Sequence, residues 1–192
     1  MSLNSKNYEV IKNALSIELT NFLCDYFLRK RDVVKILYES NYVAYPSPIL
    51  GDWNDEQVPN TYSHYSDIAM ETLLVKMLPV VEKLLKSKLI PQYSYARIYK
   101  QGDVLKPHKD RPECEISITM FLGGDHWEIH LGKDTVLLKE GDMCVYKGCE
   151  IVHFRNVFEG EKCVQVFLHY MPSKQNSQLY DGRQMLGLPP NL

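Results

Sequence analysis

The chain reads as α+β, with helices first and a run of short strands afterwards, folded as a sandwich or jelly roll. Two observations carry this reading. Apolar residues recur at helical spacing through much of the first 90 residues, and after Pro91 the spacing switches to two and holds to about Met171. Within that second part, turns fall at close intervals: Gly102-Asp103, Gly123-Gly124-Asp125, Gly132-Lys133-Asp134, Gly141-Asp142, Gly148 and Glu159-Gly160. They are too frequent for the crossovers of a parallel sheet. No repeat, low-complexity tract or linker divides the chain. One domain over 1–192 is therefore expected, with a helical part to about 90, a strand-rich core over 91–171 and a polar tail of weak order over 172–192.

Taken in order, residues 7–39 carry Val10, Ile11, Ala14, Leu15, Ile17, Leu19, Phe22, Leu23, Tyr26 and Phe27 as an apolar stripe. That stripe predicts a helical hairpin, with Ser16 or Thr20 capping its second segment. Periodicity vanishes over 41–66, where Pro46, Pro48, Gly51 and Pro59 punctuate the chain. A loop this long suits a lid or binding loop, with Tyr45, Trp53, Tyr62, His64 and Tyr65 facing a substrate. It suits equally a connector whose rings pack on one another. Ser66-Asp67 then caps an amphipathic helix carrying Met70, Leu73, Leu74, Met77, Leu78, Val81, Leu84 and Leu85, which Pro79 should kink or divide. Eight strands follow: 93–99, 104–108, 115–122, 127–131, 135–138, 143–146, 150–153 and 163–170.

Bulk composition narrows the function classes. A net charge of −2 leaves no basic face for nucleic acid, and the one cationic cluster, Arg29-Lys30-Arg31, reads as the end of a helix. No apolar run approaches a membrane span and the polar start is not a signal peptide, so a cytoplasmic protein is expected. The five cysteines are odd in number and form no Cys-x-x-Cys, which predicts reduced thiols rather than a disulfide framework or structural zinc.

His108-Lys109-Asp110 places a histidine and a carboxylate on one side of a strand, and His153 follows 43 residues after Asp110. Two His and one Asp on one face of an octahedral metal form the triad of non-haem Fe(II) oxygenases, which leaves three adjacent positions open. A rival set, His126, Glu128 and His130, alternates with the apolar Trp127, Ile129 and Leu131. If the apolar set faces the core, the rival faces solvent.

Three blocks extend the motif. Arg97-Ile98-Tyr99 through Gly102 to His108-x-Asp110, then Gly141-Asp142 through Tyr146 to His153, then Glu159 to Tyr170, resemble in order the 2-oxoglutarate- and Fe(II)-dependent oxygenases of the prolyl 4-hydroxylase type. The resemblance implies a double-stranded β-helix (jelly roll) with N-terminal helices packed on the sheet. It implies Fe(II) on His108, Asp110 and His153, which would also be the catalytic set, and 2-oxoglutarate as co-substrate, with ascorbate a possible reductant. A cation should hold the distal carboxylate of 2-oxoglutarate about ten positions after the distal histidine. Lys162 fits best, although an exposed turn lysine is its plain alternative. Arg155, on the same side of its strand as His153, competes. Tyr99 matches a tyrosine whose hydroxyl reaches 2-oxoglutarate, or is simply a core tyrosine. Arg97 and Gln165 point the same way by alternation, and His169 reads as a packed strand histidine.

The implied reaction consumes O2 and 2-oxoglutarate and hydroxylates a second substrate, a small molecule or peptide, releasing succinate and CO2. Related halogenases lack the carboxylate ligand; Asp110 is present, so hydroxylation is expected. The competing readings are a non-catalytic jelly-roll protein that binds a ligand in the same cleft, and a structural domain in which the triad is coincidence.

Overall fold

The computed structural model describes residues 3, 7–173 and 179–189. Ten strands and two long helices alternate along them: β1 (Tyr8–Ile11), α1 (Ile17–Glu39), β2 (Ser63–Tyr65), α2 (Ile68–Leu85), β3 (Leu89–Lys100), β4 (Leu105–His108), β5 (Ile116–Gly124), β6 (Ile129–Leu131), β7 (Asp134–Val136), β8 (Met143–Tyr146), β9 (His153–Arg155) and β10 (Lys162–Pro172). A six-stranded sheet runs β1-β8-β5-β10-β3-β2, and a four-stranded sheet runs β4-β9-β6-β7. All the strand pairings are antiparallel.

Alternation along the large sheet sorts the interior into two layers. On one face Ile116, Ile118, Met120, Leu122, Val164, Val166 and Leu168 meet Leu23, Phe27, Met70, Leu74, Met77 and Val81 of the two helices. On the other face Tyr99, Phe121, Cys144, Tyr146 and Cys163 meet Leu105, Ile129, Leu131 and Val136 of the small sheet. The helices cover one side of the sheet and leave the other to the small sheet and to a cleft between them. The result is a jelly-roll-like arrangement of two antiparallel sheets.

Four expectations about elements need correction. The stretch 7–39 is no helical hairpin: β1 pairs with β8, and a single helix of 23 residues follows, capped by Ser16, which accepts from the Leu19 backbone N–H. The Val10 and Ile11 period was that of an edge strand paired with Met143–Tyr146, far along the chain, a pairing no local pattern shows. Arg29-Lys30-Arg31 consequently lies in the middle of α1, not at its end. Pro79 does not divide α2, which continues to Leu85. Burial of Met77, Val81 and Leu85 against the sheet outweighs the roughly 3 kcal/mol that an interior proline costs. In the tail, residues 179–189 pack rather than hang loose: buried Arg183 bonds Ser66, the Gln92 carbonyl and the Leu188 carbonyl, and pairs with Glu71 and Asp181. Residues 174–178 and 190–192 of that predicted tail lie outside the described residues.

All five cysteines are free thiols. Among the described residues no helix is long and apolar enough to cross a membrane.

Candidate metal centre

β4 and β9 are neighbours in the small sheet, and their register sets His108 directly opposite His153. Asp110 follows β4 by two residues, its backbone N–H fixed on the Gly148 carbonyl at 2.9 Å. One ligand atom from each of the three side chains lies within 4.8 Å of the others. His153 Nε2 is 3.4 Å and His108 Nε2 3.7 Å from Asp110 Oδ1, with the imidazole rings 4.2 Å apart. Both imidazoles are oriented from behind. Nδ1 of His108 is 2.7 Å from the Lys106 carbonyl and Nδ1 of His153 is 3.1 Å from the Ile151 carbonyl. A carbonyl can only accept, so each Nδ1 carries the proton and each Nε2 turns its lone pair to the centre.

The electrostatics keep these donors ready. Burial pushes the Asp110 carboxyl up, but the adjoining His153, nearby His169 and the Ser117 hydroxyl outweigh it and hold the pKa at about 2. Burial is also the main reason the His108 pKa falls below the ordinary histidine value. A carboxylate, and a lone pair on each imidazole Nε2, are the states that metal ligation requires.

The rival histidine set is absorbed elsewhere. His130 bonds Thr135 and Asn156, and His126 bonds the Leu138 carbonyl. Among the described residues His108, Asp110 and His153 form the one cluster of three within ligating reach.

The triad opens on a cleft of about 400 Å³. Its floor and walls come from alternate residues of β3, namely Tyr93, Tyr95, Arg97 and Tyr99, with Phe167 and His169 of β10, Tyr146 of β8, and Leu105 and Ile129 of the small sheet. The segment 41–66 divides by function. Tyr45 and Trp53 pack around Tyr38, and Trp53 and Tyr62 form a further ring contact that reaches Phe27, so these rings are a local connector. His64 belongs to a buried polar cluster with Lys30 and Asp67. Tyr65 alone of the five expected residues lines the cleft. Two residues that sequence reasoning passed over do more. Asp55 pairs with Arg97 at 2.6 Å and accepts from the Tyr95 hydroxyl at 2.5 Å; Gln57 accepts from Arg97 at 3.3 Å and brings its amide nitrogen within 3.3 Å of His108 Nε2. Neither had a sequence signal beyond lying in a long loop.

The two cations weighed for the anchor sit in different settings. Lys162 opens β10 on the side of Val164 and Val166, away from the cleft, and is exposed. Arg155 lies two residues beyond His153 on the same face of β9, only 1% exposed. It donates to the Trp127 carbonyl and to Thr119, stacks on Trp127 at 5.2 Å, and has a buried Nε with no partner. No carboxylate among the described residues pairs with it. Tyr99 is buried on the inner face of β3, its ring 5.3 Å beneath the Arg97 guanidinium, and burial raises its hydroxyl pKa. Gln165 faces inward and accepts from Thr119 at 3.1 Å.

No family model matches the chain, and no curated protein matches it in sequence. Solved structures match it by shape. A prolyl-4-hydroxylase of Pseudomonas putida is 13% identical and superposes with a TM-score of 0.63 over 88% of this chain and 95% of its own. The viral collagen prolyl hydroxylase of Paramecium bursaria Chlorella virus-1, solved with 2-oxoglutarate, is 13% identical, with a TM-score of 0.61 over 86% of this chain and 96% of its own. HygX of Streptomyces hygroscopicus, solved with nickel and 2-oxoglutarate, is 11% identical, with a TM-score of 0.63 over 90% of this chain and 88% of its own. At such identities the likeness is one of fold. The chain has the fold of the prolyl 4-hydroxylase type of oxygenase, as the three sequence blocks implied.

Proposed function

We propose that this chain is a 2-oxoglutarate- and Fe(II)-dependent dioxygenase, a single domain built on a double-stranded β-helix, that hydroxylates a small-molecule or peptide substrate and releases succinate and CO2. One observation carries the reading: an open two-histidine, one-carboxylate donor set has an uncompensated buried guanidinium two residues further along the same strand. Burying a cation without an anion is costly. A ligand that spans from the metal to Arg155 and ends in a carboxylate removes that cost, and 2-oxoglutarate has this form.

His108 Nε2, His153 Nε2 and Asp110 Oδ1 would hold the metal. Bound there with 2-oxoglutarate, Fe(II) supplies the redox chemistry that activates O2. The protein supplies the rest. Arg155 takes the distal carboxylate through its free Nε–H, and Trp127 keeps the guanidinium flat and in place. The Tyr99 hydroxyl lies on the same inner face, within reach of the co-substrate. Leu105, Ile129 and Phe167 keep the reacting centre dry. The Asp55–Gln57 strap, latched on Tyr95 and Arg97, closes the mouth and selects what enters it. Lys162, facing outward, has no part in the site, which reverses the order in which the sequence ranked the two cations.

Substitution of each cation tests this. Arg155→Gln should raise the KM for 2-oxoglutarate in a succinate-release assay by roughly 10- to 150-fold, the 1.5–3 kcal/mol of a charged hydrogen bond. Lys162→Gln should leave it unchanged at an equal melting temperature. The opposite order would return the anchor to Lys162.

A further inference from the structure

The carboxylate of Asp110 has two oxygens, and only Oδ1 faces the two histidines. Oδ2 points the other way, 2.6 Å from the Ser117 hydroxyl. That hydroxyl has two further neighbours, the Cys114 carbonyl at 3.1 Å and Nδ1 of His169 at 3.0 Å. Ser117 has a single proton to give. Were Nδ1 of His169 also an acceptor, three acceptors would compete for that proton and two would face a lone pair at close range. If Nδ1 carries its own proton, that contact is satisfied and only the Cys114 carbonyl, the longest of the three at 3.1 Å, goes without the serine proton. His169 then donates to Ser117, and Ser117 donates to the nearer, charged acceptor, Asp110 Oδ2.

Three features outside the chain of bonds hold it in register. Ser117 and His169 are paired across β5 and β10. The His169 ring packs on Tyr93 with centroids 4.5 Å apart. Gly148 lies where a Cβ would collide with Asp110 Oδ2 and come within 2.6 Å of both Ser117 Oγ and the Cys114 carbonyl. Any larger residue at 148 would push the serine and the carboxylate apart.

We propose that His169 and Ser117 are positioning residues: a two-bond relay, His169 Nδ1–H to Ser117 Oγ–H to Asp110 Oδ2, fixes Asp110 as a one-oxygen ligand. With Oδ2 occupied, the carboxylate cannot chelate through both oxygens, and the positions opposite the triad stay free for co-substrate and O2. The inference rests on the metal-site reading above but needs neither 2-oxoglutarate nor a substrate for its test.

The test is Mn(II) affinity, followed by calorimetry on the whole chain, in four variants with melting temperatures matched to wild type. Ser117→Ala and His169→Phe, the latter keeping the packing on Tyr93, should each weaken Mn(II) binding by about 10- to 100-fold, the usual effect of removing an outer partner of a ligand. His169→Asn, which restores an N–H near the Nδ1 position, should recover most of that loss. Gly148→Ala should weaken binding as Ser117→Ala does. Equal affinities for the Phe and Asn variants would reduce His169 to a packing residue, and an unchanged Ser117→Ala variant would also overturn the relay. Wild-type protein that takes up no Mn(II) would overturn the metal site itself and the relay with it. Mn(II) binding without succinate formation would sink only the oxygenase reading.

Discussion

Two aspartates, one buried and one half-buried, each beside a histidine, are built to opposite ends. Asp67 is 0% exposed and both its oxygens are saturated. Oδ1 accepts from the Ala69 and Met70 backbone N–H groups as the cap of α2, and Oδ2 takes the Tyr26 hydroxyl at 2.7 Å and the Lys30 ammonium. Lys30 also donates to His64 Nδ1 at 2.8 Å, and His64 Nε2 meets the Pro48 carbonyl at 3.2 Å. Asp110 has one oxygen bonded by Ser117 and one that faces two imidazole lone pairs, with no lysine or arginine paired to it among the described residues. The first arrangement is complete in itself and ties the 41–66 segment to both helices. The second is complete only with a cation in it. A histidine and a carboxylate close together therefore signal nothing alone; the number of unused lone pairs separates a tie from a site.

The same substitution at both places sharpens that contrast. Asp110→Asn should abolish measurable metal binding, a loss beyond the roughly 100-fold that an outer-shell change can cost. It should leave the denaturation midpoint near wild type, because the amide oxygen still accepts from Ser117. Asp67→Asn keeps the cap yet strands Lys30 without its counterion, and should cost about 3 kcal/mol in urea denaturation, the lower end for breaking a buried pair since Lys30 reaches solvent in part. Metal affinity should not change. If Asp67→Asn lowered metal affinity while Asp110→Asn lowered stability, the assignment of the two roles would be wrong.

The smallest effect expected is in pH. Burial raises the Asp67 pKa, but the adjoining His64, hydrogen bonds from Lys30 and Tyr26 and the Lys30 charge hold it well below the ordinary 3.8. A folded pKa below the unfolded one stabilises above the unfolded value, and that gain is lost as pH falls through the folded value. The stability gap between wild type and Asp67→Asn should thus be constant from pH 7 to about 5 and close progressively below 3.8. A gap that closed between pH 7 and 5 would place its origin in a histidine instead.

How much could be read beforehand follows the range of the interactions. The alternation of β3, β5, β8 and β10 was legible because each strand has one face on the helices and one on the cleft. The triad was legible because a His-x-Asp at the end of a strand already shares a face. β1 was not, since its partner β8 lies far along the chain and its apolar residues also fit a helix. The preference for Lys162 over Arg155 rested on distance from His153 alone, whereas direction depends on strand phase: the strand turns Cys163 inward and Lys162 out, which is the ground for proposing Arg155 instead. His169 and Ser117 read as ordinary strand residues because their importance lies in what they touch across the sheet. Asp55 and Gln57 were hidden in a loop, where no period assigns a direction.

The most direct measurement is anaerobic addition of Fe(II) and then 2-oxoglutarate to the purified chain, watching for the weak visible charge-transfer band of the bidentate chelate. The band should need both additions, be absent in Asp110→Asn and persist in Lys162→Gln. Folded protein that shows no band with both present would contradict the oxygenase reading and favour a cleft that binds a ligand without oxidising it.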